Sequence, residues 1–147
     1  MALTYTSILG VNMGFLTARK TKADVKREIE RVQDEISQFQ GAIETAQEAK
    51  VALEVDEGSA SARKLVAYGN HWWTEEQAKE QIRLRREIVR ILINSLDFLD
   101  SRDALKRGIS NTHIALMGKN IDIDTWRVLK AQERAYRWLL DLPVRGT

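Results

Sequence analysis

From Val25 to Ala46 the chain sets apolar side chains at Val25, Ile29, Val32, Ile36, Phe39, Ile43 and Ala46, in alternating steps of four and three, with charged or amide residues at nearly every position between. This heptad spacing predicts a helix over about 22–54 with one narrow apolar seam. Such a stripe packs on one or two neighbours and leaves its far side wet. At about 1.5 Å per residue the helix spans about 50 Å, more than a compact domain of this length needs. The pattern therefore predicts a long hairpin or a projecting helix, with Val25, Ile29, Val32, Ile36, Phe39 and Ile43 as a seam for self-association.

Gly58, Ser59 and Ser61 mark a loop after that helix, and Gly69 with Asn70 marks a second. Thr74, with Gln77 three residues on, reads as a capping box that opens a helix over 75–99. On that reading His71, Trp72 and Trp73 form an aromatic wedge at a helix entrance. The stretch IVRILINSLDFL, 88–99, is apolar on several faces and predicts the most buried part of the chain. Ser101 caps a short helix ending at Gly108, a further one occupies 111–117, and a final helix opens at Asp122 or Asp124 and stops at Pro143. That last helix carries two apolar stripes, one through Trp126, Leu129, Tyr136 and Leu140 and one through Val128, Ala131, Ala135, Trp138 and Leu142, so it predicts two packing partners.

Ahead of the first helix, β-branched and aromatic residues alternate in part, and Gly10 and Gly14 disfavour a helix. Residues 1–16 are expected to be an extended arm or lone strand, whose backbone groups need a partner. Leu3, Tyr5, Ile8, Leu9, Val11, Phe15 and Leu16 would be its docking side chains. The expected organisation is that arm followed by one helical-bundle domain over 17–147. The fold class is all-α: an elongated bundle with a long heptad-patterned first helix.

Composition sharpens this picture in three ways. The single proline among 147 residues permits long helices. The absence of cysteine excludes disulfides and thiolate metal sites and fits a reducing compartment. The net charge of +2 hides an asymmetry: residues 1–57 carry 7 basic and 10 acidic groups, while residues 58–147 carry 16 basic and 11 acidic groups. The first helix is also basic at its amino end and acidic at its carboxyl end, against its macrodipole, an arrangement that an oppositely charged neighbour would turn to attraction. The uncharged stretch Met1–Ala18 has the polar content of neither a signal peptide nor a membrane span, and no membrane partner is expected.

Candidate chemistry is sparse. Arg127, Lys130, Arg134 and Arg137 share one face of the final helix beside Trp126, Tyr136 and Trp138, a layout that suits contact with a polyanion or an acidic protein surface. Lys79, Arg83, Arg86 and Arg90 make a similar stripe, diluted by Glu76, Glu80 and Glu87 three residues before a basic group. Asp97, Asp100 and Asp103 lack the glycine-centred loop of a calcium site. His71 and His113 are too few for a zinc site, and no phosphate-cradling loop or nucleophile elbow occurs. No metal or cofactor is expected.

The stretch RGISNTH sets Arg107 six residues before His113. This is similar to the Arg-to-His spacing of HEPN-type ribonucleases, small all-α dimers; the resemblance implies RNA cleavage by Arg107 and His113 across a dimer interface, although Gly108 stands where that family usually has a polar residue. In general architecture the chain looks like the helical adaptor or connector proteins of tailed-phage virions, which join symmetric rings through bundles and arms. The favoured expectation is a non-enzymatic assembly protein, cytoplasmic or virion-borne, that forms homo-oligomers or docks on neighbouring subunits. A nucleic-acid-binding helical module and a HEPN-like ribonuclease remain the alternatives.

Overall fold

Thr21 and Asp24 open the first helix by bonding each other's backbone. In the computed structural model, which describes residues 20–55 and 62–142, the Thr21 N–H donates to Asp24 Oδ2 at 2.9 Å and the Asp24 N–H donates to Thr21 Oγ1 at 3.1 Å. This reciprocal cap satisfies two orphan donors of the first turn. Helix α1 (Lys22–Val55) and helix α2 (Ala62–Ser95) each run 34 residues. Helix α3 (Arg102–Leu116) has 15 and helix α4 (Ile123–Leu139) has 17. The described residues form an all-α helical bundle, with no strand among them. The arm residues Leu3, Tyr5, Ile8, Leu9, Val11, Phe15 and Leu16, and Pro143, lie outside the described residues.

Cross-helix bonds give the helix directions. Glu35 meets Arg85, Gln47 meets Glu75 and Glu54 meets Tyr68, so α1 and α2 are antiparallel. Arg127 reaches Glu80 and Gln132 reaches Glu87, so α4 runs with α2. His113 on α3 meets Glu133 on α4, while Gly108 lies under Tyr136, so that pair is antiparallel. The chain thus alternates up and down. The core lies where all four helices meet, around Val25, Val32, Leu92, Leu105, Ala135 and Leu139, with Phe98 and Leu99 from the α2–α3 connection packed against it.

Among the described residues the two halves of the long hairpin are covered unequally. Helix α4 starts beside Glu80 and Arg83 and, at about 25 Å, is half as long as α1. Toward the connection at 56–61, Val51, Leu65, Val66, Trp72 and Trp73 are 49% to 66% exposed. Val66, Gly69 and Trp73 continue, at three-four spacing, the row through Glu80, Leu84 and Glu87 that lies along α4.

Three sequence expectations are corrected. Helix α2 passes straight through Gly69, Asn70 and Thr74, because Tyr68, bonded to Glu54, and Glu75, bridged to Lys50, tie it to α1 on both sides of Gly69. His71, Trp72 and Trp73 therefore sit in mid-helix, with both tryptophan rings exposed and no entrance to wedge. Helix α3 likewise continues through Gly108, where a Cβ would stand 2.4 Å from Tyr136 Cε1; the glycine admits that ring rather than ending the helix. Helix α4 ends before the proline. Asp141 takes φ 56°, its N–H donates to the Trp138 carbonyl at 3.2 Å, and the Leu142 N–H donates to the Arg137 carbonyl at 2.7 Å. Those two bonds are a Schellman stop with Asp in the usual glycine position.

Candidate functional site

A cleft of about 500 Å³ opens between α1, α2 and α4. Its floor is apolar, with Val32, Leu84, Ile88, Leu92, Ala131 and Ala135, and Trp126 and Trp138 also line it. All four basic residues singled out on the final helix, Arg127, Lys130, Arg134 and Arg137, line it too. Their spacing of three, four and three places them along one face of α4, and that face shares the cleft with residues of α1 and α2. The opposite wall holds Arg31 and Arg85 with Glu28 and Glu35. Six cations thus face three carboxylates, Glu28, Glu35 and Glu133.

Most of these charges are held in pairs. On the α1 wall Arg31 bridges Glu28 and Glu35, each at 2.7 Å, and Arg85 Nε donates to Glu35 at 2.9 Å while its guanidinium lies 4.7 Å from the Phe39 ring centroid. Burial pushes the Glu35 carboxyl up, but the hydrogen bond from Arg85 and the charge of Arg31 outweigh it and leave its pKa lowered. The bond to Glu28, first among its causes, raises the Arg31 pKa. On the α4 wall the buried Glu133 takes Lys130 Nζ at 2.8 Å and His113 Nε2 at 2.5 Å, with Arg137 Nε 4.0 Å away. Desolvation raises the Glu133 pKa, and the bonds from Lys130 and His113 bring it below the usual value. Arg127 reaches Glu80 at 3.3 Å. Arg134 is exposed at the cleft.

Lys20 sits at one end of the cleft, its Nζ 2.6 Å from Asp141 and 4.5 Å from the centre of the Trp138 ring. Lys130 lies 5.8 Å from the Trp126 ring centroid toward the other end. The cleft is thus an amphipathic groove with a cationic rim. Its chemistry fits an anionic or mixed acidic and apolar occupant.

The remaining predicted residues fall elsewhere. Val25, Ile29 and Val32 of the seam are buried in the chain's own core, and Ile36, Phe39 and Ile43 are half-buried along the α1–α2 hairpin. The seam's partner is helix α2 of the same chain. Arg107 is exposed and lies about 120° round α3 from His113 at six residues' separation, and His113 is held by Glu133 on α4 instead. Lys79, Arg83 and Arg90 each bond the glutamate three residues earlier. No group of three potential metal ligands occurs among the described residues, and none of their helices is long and apolar enough to cross a membrane.

The far wall of the cleft, Arg31, Glu35 and Arg85, was not singled out in the sequence. Arg31 and Glu35 are an i, i+4 pair on α1, but Arg85 lies 50 residues beyond Glu35, and only the register of the hairpin joins it to them. The fold defines an all-α helical bundle with a basic, tryptophan-lined cleft. No family model, no curated protein and no solved structure matches this chain.

Proposed function

We propose that this protein is a non-enzymatic assembly component that self-associates or docks on neighbouring subunits through helical surfaces. The observation that carries the reading is the less covered half of the hairpin, where Val51 on one helix and Leu65, Val66, Trp72 and Trp73 on the other are exposed. A monomer seldom leaves so many large apolar groups on one element, and contact with a partner is the usual reason. A role as a helical adaptor or connector within a virion is the setting that best suits a long hairpin carrying a sticky end, and the amino-terminal residues 1–16 would add a second docking element.

Light scattering of the purified full chain across a concentration series tests this. The expected result is a mass that rises with concentration, and Trp73→Glu should weaken that rise by placing a charge in the contact. A chain that stays monomeric at every concentration overturns the reading. A second reading, binding of nucleic acid, rests on one observation: Arg127, Lys130, Arg134 and Arg137 line a single cleft with Trp126 and Trp138. It predicts that a single-stranded oligonucleotide binds with an affinity that falls steeply with salt.

A further inference from the structure

We propose that the basic cleft is the receptor for a second copy of this chain, and that it takes the acidic flank of the neighbour's hairpin end formed by Glu44, Gln47, Glu48 and Val51. This deepens the assembly reading above and rests on it. Charge is the first ground. The cleft holds six cations against three carboxylates, whereas the flank of Glu44, Gln47, Glu48 and Val51 holds two carboxylates and no cation, and the described residues of the hairpin end, 40–55 and 62–79, carry 4 basic and 5 acidic groups. Pairing flank to flank would bring Glu44 and Glu48 of two copies together, and pairing cleft to cleft would bring twelve cations together; like charges face each other in both. Only cleft to end joins opposite signs.

Shape gives the second ground. Glu44, Glu48 and Val51 fall at steps of four and three on α1, and all three are exposed, Val51 at 56%. They present two carboxylates and an apolar side chain along one helix edge. One turn of helix fills about 400 Å³, so a cleft of about 500 Å³ has room for the side chains of such an edge, with Val51 against the apolar floor and the carboxylates toward Arg134 at the rim. Orientation is the third. Glu44 follows Glu35 by nine residues, about 180° round α1 at about 100° per residue, so the donor flank and the cleft face opposite directions on one helix. A neighbour seated in the cleft therefore leaves its own cleft open for the next copy. A contact of this head-to-tail kind closes into a ring or extends as a filament.

Charge exchange tests the pairing. Arg134→Glu spoils the cleft and Glu48→Arg spoils the flank; both positions are exposed, and circular dichroism should show unchanged helicity. Each single variant should lose association by about tenfold or more at low salt. The double variant Arg134→Glu with Glu48→Arg should regain a substantial part of it. An equal mixture of the two should also associate, because the flank of Arg134→Glu fits the cleft of Glu48→Arg and the cleft of Arg134→Glu fits the flank of Glu48→Arg; masses beyond the dimer separate this head-to-tail contact from a symmetric pair. If the wild type associates and the charge variants associate equally well, this inference is wrong while the assembly reading stands. A wild type that is monomeric at all concentrations overturns both. Association that survives both single variants and is lost only in Trp73→Glu also overturns this inference, placing the contact on the apolar row of α2.

Discussion

Glu75 is the residue whose ionisation the fold depends on in the less covered half of the hairpin. It is 5% exposed there and is held by Lys50 Nζ at 2.6 Å, Lys79 Nζ at 2.9 Å and Gln47 Nε2 at 3.4 Å. The bond from Lys50, then that from Lys79, brings its pKa from 4.5 to about 2. Because the folded pKa lies below the unfolded one, the stabilisation is present in full above about pH 4.5 and drains away as pH falls toward 2. Lys50 and Lys79 have pKa values raised by the same contacts, Glu75 first in each case, so they stay charged throughout that window. Removing the carboxylate in Glu75→Gln should lower the melting temperature at pH 7, where it leaves Lys50 facing an uncharged group. The gap between variant and wild type should close as pH is taken from 4.5 to 2. A gap that stays constant over that range would show that Glu75 is not the titrating group.

At the scale of the element, what could be read from the sequence divides along the line between local and distant causes. Helix α1 was legible because its heptad spacing acts within a few residues, while its cap, Thr21 with Asp24, was not singled out in the sequence. Ser101 was legible as a cap, and Asp122 as one of two candidates with Asp124, because a cap acts locally; Ser101 and Asp122 each accept from the backbone N–H three residues on. Helix α2 was not. Its local punctuation, Gly69 with Asn70 and then Thr74 with Gln77, describes a break that contacts with α1 override, and propensity is a weak prior against packing. The cleft divides in the same way, one wall being a short-range stripe on α4 and the other created by the α1–α2 register. The continuity of α2 carries a prediction. Gly69 has nothing within 4 Å of the place a Cβ would occupy and keeps a negative-φ helical backbone, so Gly69→Ala should stabilise the protein by about 0.5–1 kcal/mol. Chemical denaturation would measure it, and a destabilised variant would mean that the helix is broken at Gly69 after all.

Across the whole molecule, apolar surface serves two separate purposes. The seam residues Val25, Ile29 and Val32, expected to join copies, are spent inside the chain with Leu92, Leu105 and Leu139. Trp73, read as a helix-entrance wedge, is 59% exposed instead. A variant in each set tells the two apart. Leu92 is 1% exposed, so Leu92→Ala should cost about 2–5 kcal/mol and unfold the subunit at a lower denaturant concentration whatever its assembly state. Trp73→Glu should change the stability of the isolated subunit by no more than about 0.5 kcal/mol, as surface substitutions do, while weakening association. Denaturant unfolding at a dilution where the chain is monomeric gives the first quantity, and light scattering at high concentration gives the second. If Trp73→Glu unfolds the dilute monomer, the ring is part of the core, and the exposed row on α2 no longer supports docking. If Leu92→Ala leaves the monomer's stability unchanged, the four-helix meeting point is not the core, and the seam is again free to join one copy to another.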